Sequence, residues 1–198
     1  MYYFKMTILL VVYNFFLSII SMAVLLIDNS LWGLKLALAI VCLLIYLVLM
    51  FIMLSKEGEQ GLTIRNSNDI EREHIIRTGE DRPLKLKEEY KTWKGFFIGF
   101  LACLPVVVCM IIHLITYFAS AGAVSGAGVL AGYIYMVFFA PVTLFITQEV
   151  ALWWQFLFIL YSVPVMMLTC GAGYIFGAKK QQARYDELKQ KHREIYGE

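Results

Sequence analysis

The chain has 198 residues, 60% of them hydrophobic and 16% charged, with a formal net charge of +2 and a mean hydropathy of +0.69. That balance excludes an ordinary water-soluble domain and points to an all-α, polytopic helical membrane protein. The small net charge and the lack of a dense basic run exclude nucleic acid, and leave the lipid bilayer as the first partner.

The charges are segregated. Of 17 Lys and Arg, nine fall between Lys56 and Lys94 and six between Lys179 and Arg193; only Lys5 and Lys35 lie elsewhere. Two water-exposed segments on a membrane-embedded body are therefore expected. Cys42, Cys103, Cys109 and Cys170 all sit in apolar runs without CxxC or Cys/His spacing. They read as small buried hydrophobes, and neither metal nor cofactor is expected.

Residues 1–54 read as a transmembrane hairpin. Met6 to Ile27 is a charge-free run about 33 Å long as a helix, enough to span, and no cleavage site follows it. Asn14 within it suits an interhelical hydrogen bond. A turn at Asp28-Asn29-Ser30 leads to a second, antiparallel span, Leu31 to Leu54, with Lys35 snorkelling near its start.

Residues 55–94 form the one sizeable polar loop. Asn68 followed by Glu71 suggests a capping box for a short helix, Asp69 to Thr78, stopped at Gly79. Pro83 is expected to open a second helix on which Leu86, Tyr90, Trp93 and Phe97 share a face, an amphipathic elbow on the headgroups. Its nine basic residues place this loop, and hence the N-terminus, in the cytoplasm of a plasma-membrane protein.

Residues 95–178 return to the membrane, with spans at Gly95–Phe118 and Leu152–Gly177 around an apolar segment, 119–150. Residues 179–198 form a polar helix whose six basic residues also favour the cytoplasm. Here charge and apolarity conflict. If Val129–Thr147 crosses, the basic tail lies outside and the chain has five transmembrane helices. If it does not, there are four, and the apolar segment is re-entrant or interfacial, packed against other helices because lipid cannot satisfy its backbone. The charge distribution favours four.

Small-xxx-small spacing occurs at Gly95/Gly99, Gly122/Gly126, Gly128/Gly132 and Gly173/Gly177, a pattern that lets helix backbones approach. Pro105, Pro141 and Pro164 each interrupt an apolar segment and are candidate hinges around a mid-membrane cavity. Asp28, Lys35, His113 and Glu149 fall at one membrane level in the four-span arrangement, a candidate outer-face polar cluster. No nucleophile elbow, P-loop, metal-protease or dinucleotide motif is present, and no enzyme is expected.

The runs Glu89-Tyr90-Lys91-Thr92-Trp93-Lys94-Gly95-Phe96-Phe97-Ile98-Gly99-Phe100 to Pro105, and Gly173-Tyr174-Ile175-Phe176-Gly177-Ala178-Lys179, resemble small multi-span membrane proteins of Gram-positive bacteria whose activity is uncharacterised. The resemblance covers the second half of the chain and implies a bacterial plasma-membrane location without a reaction. Vitamin-scavenging transporter subunits are similar in size, but their early alanine-xxx-alanine motif is missing around Ser18, Ser21 and Ala23. The expectation is a non-catalytic subunit, assembling through glycine-mediated packing into a homo-oligomer or with a partner membrane protein. The alternative is a transporter of a small-molecule or ionic ligand.

Overall fold

A computed structural model describes residues 2–25, 27, 29–119, 126–138 and 152–197. Asp28, Gly122, Pro141 and Glu149, and most of the 119–150 segment, lie outside the described residues, as does the side chain of Asn14. Every regular element among the described residues is helical: α1 (Tyr2–Leu25), a short 3-10 turn (Asn29–Leu31), α2 (Trp32–Thr78), α3 (Lys94–Ala119), α4 (Ala127–Phe138) and α5 (Leu152–Tyr196). Three of them contain stretches long and apolar enough to cross a membrane, within Gly33–Thr78, Lys94–Ala119 and Leu160–Tyr196. The 12 residues of α4 reach only about 18 Å.

α2 and α5 are much longer than a bilayer needs. Their 47 and 45 residues extend about 70 Å and 68 Å, so each passes from a mostly apolar half into a charged half without interruption. The polar loop expected from residue 55 is therefore half helix. No new helix begins at Asp69, because Asn68 does not cap. Its side-chain amide donates 2.6 Å to Glu89 while the backbone stays helical through it. Gly79 does end the helix, in the left-handed conformation (φ 72°), its N–H donating to the Ile75 carbonyl. Pro83 opens no helix. Residues 80–93 form a strap of turns that returns to α3, and the tail continues α5 rather than forming a helix of its own.

Contacts fix the directions. Gly173 packs on Phe51, Gly177 on Ser55, and Lys180 reaches Glu59. Residue numbers rise together, so α2 and α5 run parallel. Gly95 meets Gly171 and Tyr174, whereas Gly99 meets Met167, so α3 runs antiparallel to α5. Parallel neighbours leave the bundle at the same end, and the charged halves of α2 and α5 emerge side by side. The core between them draws Leu10 from α1, Met50 and Leu54 from α2, Ile98 and Val106 from α3, and Cys170 from α5. At the opposite end Val24 of α1 packs on Ala39 of α2, closing the hairpin.

Candidate functional site

At the polar end, four elements converge on one side chain. Tyr174 of α5 is completely buried. Three glycines clear its space: a Cβ added at Gly58 would lie 2.0 Å from the Tyr174 carbonyl oxygen, at Gly61 2.9 Å from its hydroxyl, and at Gly95 2.5 Å from its own Cβ. The fourth neighbour is Tyr90 of the strap, whose ring stacks on Tyr174 with centroids 5.2 Å apart and planes 8° off parallel. The Tyr90 N–H donates 2.9 Å to the Gly61 carbonyl, so the strap is tied to α2 by backbone as well as by ring. Burial pushes the Tyr90 phenol above its ordinary pKa, with Arg65 nearby opposing the shift.

Two further anchors hold the strap. Glu89 is buried and accepts from Asn68 and, at 2.6 Å, from Arg72; Arg72 also bonds Asp69. Lys94, the first residue of α3, is only 1% exposed. Its ammonium donates 2.9 Å to the Lys87 carbonyl and also to that of Glu89. A charge so deeply placed is tolerated because these carbonyls replace its water.

Between α2 and the strap opens a cleft of about 480 Å³, lined by Arg65, Asp69 and Arg72 on one side and Glu89, Tyr90, Lys91, Thr92 and Trp93 on the other. Arg72 is occupied by the two carboxylates. Arg65 and Lys91 form no ion pair among the described residues. Trp93 is 49% exposed and meets Phe97 edge-on, ring centroids 5.5 Å apart.

The residues singled out from the sequence lie mostly elsewhere. Gly95, Gly99, Gly173 and Gly177 are at the α3–α5 and α2–α5 contacts. Gly128 and Gly132 are at the far end, where His113 donates 2.9 Å from Nδ1 to the Gly128 carbonyl and its ring lies over Gly132. Lys35 is half-buried near the start of α2. Pro105 and Pro164 are exposed and sit within unbroken helices. None of the cleft residues was predicted as a site. The signal was present in Tyr90 and Trp93, spaced for a helix face, and in the Gly173-Tyr174 step, but only the fold brings them to Arg65. Comparison with protein-family models, curated proteins and solved structures gives no match to this chain.

Proposed function

We propose that the protein is a non-catalytic integral membrane subunit that works by association, presenting two coupled helical rods on the cytoplasmic face of a plasma membrane. The observation that carries this is the parallel α2–α5 pair. Its glycine contacts continue from the apolar halves into the charged halves, and Glu59 joins it to Lys180 at 3.0 Å. A seam stiffened in this way transmits position from membrane to water. Beyond Arg184, which lies 3.9 Å from Glu59, Leu188 and Ile195, 65% and 73% exposed, lie seven residues apart on one helix face, the spacing of a helix-to-helix seam. The cytoplasmic assignment rests on the basic residues that both charged halves carry. Four crossings, with 119–150 not spanning, follow if α1 crosses and both charged halves share one side.

The transport alternative draws no comparable support. Pro105 and Pro164 are exposed within continuous helices, and the cleft lined by Arg65, Lys91 and Trp93 is at the charged end. Extraction in mild detergent followed by affinity capture and mass measurement tests the association. A homo-oligomer or stoichiometric membrane partner is expected, weakened by Leu188→Glu with Ile195→Glu. A stable monomer without partner contradicts the proposal.

A further inference from the structure

We propose that the cleft between α2 and the strap is a binding site for the phosphate headgroup of an anionic phospholipid, with Arg65 and Lys91 as the charged contacts and Trp93 as the interfacial wall. The argument begins with charge. Three cations and two carboxylates line the cleft, but both carboxylates are held by Arg72. One guanidinium offsets only one of the two, so three cations against two carboxylates leave the lining at a net +1, and the cations outside that cluster are Arg65, with a planar fork suited to phosphate oxygens, and Lys91, a point charge.

Depth selects a lipid. The apolar half of α2 ends at Lys56 and α3 starts at Lys94, which marks the hydrocarbon boundary; headgroups occupy roughly 5–8 Å beyond it on each side. Lys91, Thr92 and Trp93 lie within three residues of that boundary. Arg65 is nine residues past Lys56, about 13 Å along the helix. However, α2 runs out of the membrane, and helix side chains lean toward the N-terminus of their helix, so Arg65 leans back toward the headgroups. Trp93 and Phe97, exposed and edge-to-face, continue from the cleft onto the apolar flank of α3, where acyl chains of the same lipid would lie. A free anion has no use for that flank. A cleft of about 480 Å³ is ample for one headgroup with its bridging waters.

The test is native mass spectrometry of the full chain in mild detergent, titrated with phosphatidylglycerol, phosphatidylcholine or free glycerol phosphate. Wild type is expected to retain phosphatidylglycerol in preference to phosphatidylcholine. Arg65→Gln with Lys91→Gln lowers that affinity about tenfold, the loss of one to two charge-assisted contacts. Lys56→Gln with Lys179→Gln removes the same charge at the same boundary outside the cleft and leaves it unchanged. Arg65→Lys with Lys91→Arg keeps the preference, and decides the matter if the glutamine pair melts early. Equal losses in the two glutamine pairs overturn the proposal, as does a missing headgroup preference, or glycerol phosphate competing as well as lipid.

Discussion

Two glycine pairs with identical spacing do different work at opposite ends of this bundle. Gly173 and Gly177 meet backbone: a Cβ on Gly177 would lie 1.8 Å from the Ser55 carbonyl oxygen, and one on Gly173 2.5 Å from that of Phe51. Gly132, in the Gly128/Gly132 pair, meets a side chain, with His113 Nδ1 2.8 Å from the added Cβ. In a bilayer no hydrophobic drive holds helices together, so close packing and interhelical hydrogen bonds must. The first pair fixes the separation of two helices, the second seats one ring. A small-xxx-small pattern thus marks where a neighbour comes close, and the neighbour decides what the closeness is for.

Substitutions can separate the two roles. Gly177→Ala carries the largest expected effect, because backbone cannot yield without moving α2 from α5: a loss of about 3 kcal/mol, seen as early melting and aggregation in detergent. Glu89→Ala comes next at about 2 kcal/mol. It strands the buried amide of Asn68 and leaves Arg72 to Asp69 alone, and proteolysis within residues 80–93 should then accelerate. Gly132→Ala should cost about 1 kcal/mol, since the His113 ring can rotate aside. Gly33 has nothing within 4 Å of an added Cβ, so Gly33→Ala should change stability by less than about 0.5 kcal/mol, with any change toward greater stability from helix propensity. If Gly132→Ala equals Gly177→Ala, the distinction between the two ends fails.

The sequence made the membrane class, the apolar stretches and the stop at Gly79 legible, since each depends on local composition or a single glycine. The continuity of α2 through Gly58 and Gly61 was hidden. Two glycines among charges read as a loop, each costing about 1 kcal/mol in a lone helix; here that cost is offset by contacts to Tyr174 and Tyr90 that no local pattern displays. The strap was misjudged for a related reason. Its periodic apolar residues suit a helix, yet Tyr90 is held by Gly61 and Tyr174, and Glu89 by Asn68, 21 residues earlier. The cleft inherits that obscurity, because Arg65 and Lys91 become neighbours only after the strap has folded back. At Pro105 and Pro164 the helices run on unbroken, as a span allows where neighbouring groups satisfy the freed carbonyl.

The parallel course of α2 and α5 is the central claim, and one pair of positions tests it directly. Glu59→Cys and Lys180→Cys, in a background lacking the four native cysteines, replace side chains that form a 3.0 Å ion pair. In native membranes a short bifunctional thiol cross-linker should join the two thiols within one chain, and singly each should react with a membrane-impermeant maleimide from the same side. Labelling from opposite sides, with no intramolecular cross-link, would contradict the account.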